Sequence, residues 1–227
     1  MADNSAPGPF LPAADTRPND VAWPILNWPP SAATVLCGHQ VQLRVADPDR
    51  DAQALFTALD HDAVWAHVAG RPADPASFAA LLRARLAAGL LPWIVSLTQP
   101  VAGRPVGATV GTSSFLDVEV NDARLEIGFT AYTPAVWGTV VNPATKLALL
   151  GFAFEQLGAG RVQLKTDVRN HRSQRAIAGL GAGYEGRLRR YQRRADNTVR
   201  DTAVFSVIAE DWPAVRAGLQ RRLSAPG

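Results

Sequence analysis

The 227-residue chain has one cysteine, one methionine and only two lysines, and no apolar run approaches the ~20 residues a membrane-crossing helix needs. A lone Cys37 cannot close an internal disulfide. Four scattered histidines (His39, His61, His67, His171), with no pair at helical ligand spacing, argue against a zinc site built by the protein. Cys37 lies at the end of a proline-rich lead and reads as a small apolar filler or a spectator thiol. The start, MADNSAPGPFLPAADTRP, has no basic segment followed by an apolar one, so a cytoplasmic protein without membrane attachment is expected. The turn 133–142 lacks both common phosphate-loop signatures, G-x-G-x-x-G and G-x-x-x-x-G-K-[ST].

Because Lys146 and Lys165 are the only lysines, nearly every cation is an arginine; the net charge is just +3. Abundant Ala, Gly and Pro suggest the coding bias of a GC-rich genome, which weakens arginine content as a sign of nucleic-acid binding. One concentration stands out, at Arg187, Arg189, Arg190, Arg193 and Arg194. It can attract an acidic substrate or nucleic acid, or form a solvated hairpin. Strand alternation divides these arginines between two faces and favours the hairpin.

At 47% hydrophobic and 19% charged residues, the chain can bury a substantial core as one large domain. Residues 1–37 hold seven of the 17 prolines. They read as an extended lead whose Trp23, Ile25, Leu26 and Trp28 pack against a body spanning 38–227. A strand VQLRVAD precedes an amphipathic helix near 50–59. Asp74 followed by Pro75 marks a capped helix that buries Phe78, Leu81, Leu82 and Leu86. Strands WIVSL and VGATVGTSSF follow, then a strand over 124–132. Asn142 and Pro143 predict the cap and first residue of another helix, with Leu147, Leu150, Phe154 and Leu157 on one side. Beyond it lie a strand at 161–168, a helix at 170–181, strands at 184–194 and 199–208, and a closing helix capped by Asp211. Strand pairs mixed with helices indicate an α+β or mixed α/β sheet with helices on its faces.

The stretch 125–170 carries the chemistry. A strand, LEIGFTAY, enters the turn TPAVWGTVVN and then a helix, the order in which a fold presents backbone N–H groups to a phosphate. Alternation predicts Leu125, Ile127, Phe129 and Ala131 on one face of the strand, and Glu126, Gly128, Thr130 and Tyr132 on the other. Glu126 is the only acid there. Partial desolvation would raise its pKa and suit it to general-base work; the alternative is a solvent-facing or arginine-paired glutamate. Trp137 either braces the turn or fills an apolar gap.

The run from LEIGFTAY through GLGAGYEG resembles the acyl-CoA-binding half of the GNAT N-acetyltransferases, nearest to their Rim-type, ribosomal-protein-N-terminal-acetyltransferase-like subgroup. The downstream RRYQRRADNTVRDTAVFSVIAEDWPAV resembles that subgroup's terminal hairpin and helix, so the likeness covers roughly residues 40 to 215. It implies an α+β acyl-CoA N-acyltransferase fold, with a mixed, mostly antiparallel sheet flanked by helices and a splay between the fourth and fifth strands. Acetyl-CoA would be the acyl donor and a primary amine the acceptor, with no metal. The pantetheine arm would pair with the backbone of Phe129, Thr130, Ala131 and Tyr132. The pyrophosphate would rest on Trp137, Gly138, Thr139, Val140, Val141 and Asn142. Asn170 and Ser173 match the asparagine and serine placed beside the cofactor arm. Glu126 matches a general-base position, and Ser173 would protonate the leaving thiolate, with Tyr132 and Tyr184 behind it. Val140 stands where a second glycine is common, which would loosen the grip on pyrophosphate. The resemblance also implies that Val64–Pro75 and Ala195–Val199 choose the acceptor; relatives often dimerise, so a homodimer is an open option, and the arginine-rich strand is a candidate to meet the 3′-phosphate of coenzyme A. Two alternatives stay open: another donor such as succinyl-CoA, and a silent acyl-CoA-binding or interaction module.

Overall fold

The computed structural model describes residues 11–14 and 22–225; the remainder of the proline-rich lead, 1–10 and 15–21, lies outside the described residues. Eight strands form one sheet in the order β1-β2-β3-β4-β5-β6-β8-β7. They are β1 Val35–Gly38, β2 Val41–Val45, β3 Leu91–Leu97, β4 Thr109–Glu119, β5 Arg124–Tyr132, β6 Arg161–Asp167, β7 Gly183–Arg193 and β8 Val199–Ile208. Every neighbouring pair is antiparallel except β5 and β6, which run parallel. The helices are α1 Pro48–Leu59, α2 Asp62–Trp65, α3 Pro75–Ala87, α4 Val141–Gly151, α5 His171–Ala178 and α6 Trp212–Ser224. None is long and apolar enough to cross a membrane.

Period-two alternation on β3 sorts the interior into two layers. Trp93 and Val95 enter a core with residues of α4, α5 and α6, while Ile94 enters a second core with α1, α2 and α3. Trp93 is fully buried and meets Phe115 and Phe152 edge-on, at 5.8 Å in both cases. Among the described residues of the lead, Leu26 and Leu36 are buried in this core and Trp28 lies edge-on to Phe115; Trp23 and Ile25 are exposed. Cys37 is also exposed on the edge strand β1, so it fills no apolar space.

Local chemistry explains the start of α3. The Asp74 side chain accepts from the Ser77 N–H at 2.7 Å, and the Ser77 hydroxyl reaches back to the Asp74 N–H at 3.0 Å. Asp74→Ala is expected to destabilise the protein, measured as a lower urea midpoint with an unchanged slope. Two other helix starts differ from the sequence reading. Helix α4 begins at Val141, because the backbone of Val140 is already helical (φ −67°, ψ −16°); Asn142 therefore sits inside the first turn and caps nothing. Asp211 precedes α6 without a side-chain capping bond. A single π turn, Phe152–Gln156, follows α4 and shifts the helical phase. The buried set is thus Leu149, Leu150, Phe152, Ala153 and Leu157, while Leu147 and Phe154 are only partly covered.

Candidate active site

Strands β5 and β6 pair at just three positions: Arg124 with Arg161, Leu125 with Val162, and Glu126 with Gln163. Beyond Glu126 they part. Strand β6 continues along β8 as far as Asp167, and β5 continues along β4 as far as Tyr132. A wedge opens between them, and the β5 backbone from Ile127 onward has no strand partner on that side. This is the expected splay of the fourth and fifth strands; β1 adds one strand to the numbering.

A bulge shapes the β5 lip of the wedge. The register against β4 jumps from Ser114–Gly128 to Thr112–Ala131, so β5 carries an extra residue, and Phe129 adopts φ +46°. The extra residue reverses the alternation expected for the strand. Tyr132 joins Leu125 and Ile127 in the core beneath α4, while Ala131 packs on the core of α1–α3. The Tyr132 phenol is enclosed in its core, which removes it as a proton donor to a leaving thiolate, and burial also pushes its pKa far up. Tyr184 is exposed and lies edge-on to Phe205. Gly111 is needed opposite the lip, because a Cβ there would lie 2.2 Å from the Ala131 carbonyl oxygen.

The turn into α4 supplies free donors. The Trp137 N–H bonds to Pro134 O, the Thr139 N–H to Val136 O, and the Val141 N–H to the Thr139 hydroxyl. Among the described residues nothing accepts from the N–H groups of Gly138, Val140 or Asn142, and α4 has no side-chain cap. An uncapped helix start with open amides is a ready anion site. Gly138 takes the left-handed conformation (φ +76°), and a Cβ there would meet nothing within 4 Å. Val140 needs no glycine, since its φ is ordinary and its side chain packs against the core. Trp137 braces the turn, with its indole N–H donating to Tyr132 O at 2.9 Å.

The opposite lip is α5, entered directly from β6. The Asn170 carboxamide oxygen caps it by accepting from the Ser173 N–H at 3.0 Å, and the Ser173 hydroxyl has no partner among the described residues. Arg172 reaches across and lies 3.5 Å over the Trp137 ring, linking the two sides of the wedge.

Glu126 sits where the strands part and is 5% exposed. Neither alternative from the sequence describes it: the residue is buried, and its neighbour is a lysine. Lys165 Nζ lies 2.7 Å from its Oε2, outside hydrogen-bond alignment, and also contacts Asp117 at 3.5 Å and the Tyr191 hydroxyl at 3.1 Å. Burial raises the Glu126 pKa and the Lys165 ammonium opposes it. The other lysine, Lys146 of α4, is buried too. Its Nζ donates to the Ser113 hydroxyl at 3.0 Å and to that of Thr130, on the β5 lip, at 2.6 Å.

Beside the bulge, on the side of α1–α3, a shallow cleft with an internal volume of about 20 Å³ opens to solvent. Trp65, Val68, Phe78, Phe129 and Ala131 line it, together with Arg85 of α3. Of the segment Val64–Pro75 expected to choose the acceptor, Trp65 is in this cleft. Arg71 is held outside it by Asp60 and Asp62, and His67 is exposed. In the arginine-rich β7, Arg187 faces Asp201 at 3.8 Å, and just past the strand's end Arg194 grips the buried Asp167 with two bonds.

A family model described as the acetyltransferase (GNAT) domain matches residues 40–182. A T. thermophilus protein described as a candidate acetyltransferase is 35% identical, with 83% of this chain and 96% of that chain covered and a TM-score of 0.72. A probable GNAT-family acetyltransferase from Chromobacterium violaceum is 26% identical, with 90% and 100% covered and a TM-score of 0.79. RimJ from Mycobacterium smegmatis, solved in complex with CoA-disulfide, shares the fold at 22% identity, 83% and 93% coverage and a TM-score of 0.68. No curated protein matches the chain. The wedge between parallel strands, the uncapped helix start at its base and the domain match over 40–182 agree: the chain belongs to the GNAT acetyltransferase family.

Proposed function

We propose that the protein moves an acetyl group from acetyl-CoA to a primary amine, either a protein N-terminus or a small amine, by direct attack and without a covalent enzyme intermediate. The observation that carries this is the meeting of the β5–β6 wedge with the uncapped start of α4. The residues fit the donor. Open amides at Gly138, Val140 and Asn142 suit a pyrophosphate, and the unpaired β5 edge from Phe129 to Tyr132 suits an amide-bearing arm. Arg172 and Asn170 flank the same opening. Acetyl-CoA supplies the activated thioester. Backbone N–H groups of the bulged lip polarise its carbonyl. Glu126 takes the proton from the acceptor ammonium, directly or through water, and Lys165 keeps the carboxylate ionised between turnovers. Ser173 returns a proton to the leaving thiolate.

Thermal-shift titration tests the reading. Acetyl-CoA, succinyl-CoA and free CoA should each raise the melting midpoint. At a ligand concentration 100-fold above Kd the gain is about 2.7 kcal/mol, or roughly 5–10 °C for a chain of this size. Thiol release with a panel of peptide N-termini and small amines should follow. Absence of any shift would overturn the proposal, and shifts without thiol release across the panel would leave a silent acyl-CoA-binding module.

A further inference from the structure

Arg85 contrasts with three partly buried arginines that have carboxylate partners. Arg44 is held by Asp51, Arg161 by Glu185 and Arg194 by Asp167. Arg85 has no carboxylate within ion-pair distance and no side-chain hydrogen bond among the described residues, although it is half-buried between α3 and the β5 lip. Its guanidinium lies 4.3 Å over the ring of Phe129, the residue that carries the bulge. Desolvation alone holds its pKa down, at about 10. A sheltered cation without a counter-charge is costly, and cost of this kind collects where a ligand completes the pair. The cleft in front of it is small, and its remaining walls are largely apolar, namely Trp65, Val68, Phe78 and Ala131. In such surroundings a carboxylate gains more from a guanidinium than it would in water, and the planar fork can hold it by two bonds.

We propose that Arg85 forms a carboxylate-recognising subsite beside the β5 bulge, so that one of the two reacting partners carries an acid group in addition to its reacting centre. This rests on the acyl-transfer reading, because it is that reading which puts the reacting centre at the bulge. The carboxylate has two chemical sources: the far end of a dicarboxylic acyl group on the donor, or the body of the acceptor amine.

The test pairs acetyl-CoA with succinyl-CoA on neutral amines, and neutral amines with carboxylate-bearing counterparts on acetyl-CoA, using the full chain. Thiol release gives kcat/KM, and thermal shift gives binding independently of turnover. In one of the two arms the acidic ligand should be preferred 10- to 1000-fold. Arg85→Gln should abolish that preference and Arg85→Lys restore part of it, while the shift caused by free CoA is retained and reports an intact fold. The arm that responds identifies the source. If neither arm prefers the acidic ligand in rate or in binding, or if Arg85→Gln leaves a preference intact, the subsite is refuted while the acyl-transfer reading stands. If no acyl-CoA shifts the melting midpoint, that reading falls and the subsite with it.

Discussion

Glu126→Gln is expected to slow thiol release by roughly 10²–10³-fold, with the thermal shift by free CoA nearly unchanged. The carboxylate is 5% exposed at the last paired position before β5 and β6 separate, so it sits at the root of the wedge. The amide is nearly isosteric but cannot take a proton. The pH profile adds a second criterion. Burial raises the Glu126 pKa and Lys165 pulls it back. The acidic limb of kcat/KM in the native protein should therefore lie above the ordinary carboxylate range and vanish in the Gln variant. Lys165→Met removes the opposing charge and should move the limb to still higher pH. A purely structural ion pair would behave differently: both variants would lower the melting midpoint and leave the limb in place. The sign for stability follows from the same shift. A carboxyl whose folded pKa is raised favours the folded state at low pH, and that contribution is lost as pH rises from the ordinary value through the folded one. An unchanged rate in Glu126→Gln refutes the general-base role.

Much of the scaffold could be read from local pattern, because local chemistry decides it. Asp74 and Pro75 start α3 through bonds confined to four residues, and the apolar runs of β3 and β8 match strands buried on both faces of the sheet. The order of strand, turn and helix in 125–170 likewise gave the anion turn, whereas the splay of the strands came from the family resemblance. What escaped the sequence depends on contacts across the fold. A bulge at Phe129 reverses the faces of β5, and nothing in LEIGFTAY marks it, since Phe129 is an ordinary strand residue with an unusual φ. The start of α4 differs because Thr139, rather than Asn142, takes up an amide of the turn. Arg85 was hidden among many arginines, and its distinguishing property is the lack of a partner, which only the fold reveals. The lysines carried a signal that went unused. In a chain that uses arginine for nearly every cation, both lysines lie against β5, Lys165 at Glu126 and Lys146 at Thr130.

Lys146→Met is expected to stabilise the protein at pH 6 and to lower its activity. Lys146 is 3% exposed and has no carboxylate in contact, only the hydroxyls of Ser113 and Thr130, which also bond each other at 2.8 Å. Desolvation brings its pKa down from 10.5 to about 7. Below pH 7 the ammonium is charged in both folded and unfolded chains, and the folded state bears the whole burial cost. Between about pH 7 and 10.5 the folded protein has released the proton while the unfolded chain keeps it. The unfolded state then binds more protons, so stability rises with pH across that window, by about 5 kcal/mol in all, and is level above it. A neutral amine also suits the site, because its lone pair can accept from one hydroxyl and close the ring of three groups. Methionine has similar volume and no charge to bury, so the variant should gain about 1–4 kcal/mol at pH 6 and lose the rise between pH 7 and 10.5. Denaturant midpoints at pH 6 and pH 9 measure both effects; a variant no more stable at pH 6, or one that keeps the native rise, refutes the argument. The loss of activity follows from Thr130. Its hydroxyl ties the bulged lip to α4 through Lys146, so without the amine Thr130 keeps only Ser113 as a side-chain partner. A buried cation that weakens the fold while fixing the backbone at the reacting centre is a trade of stability for function.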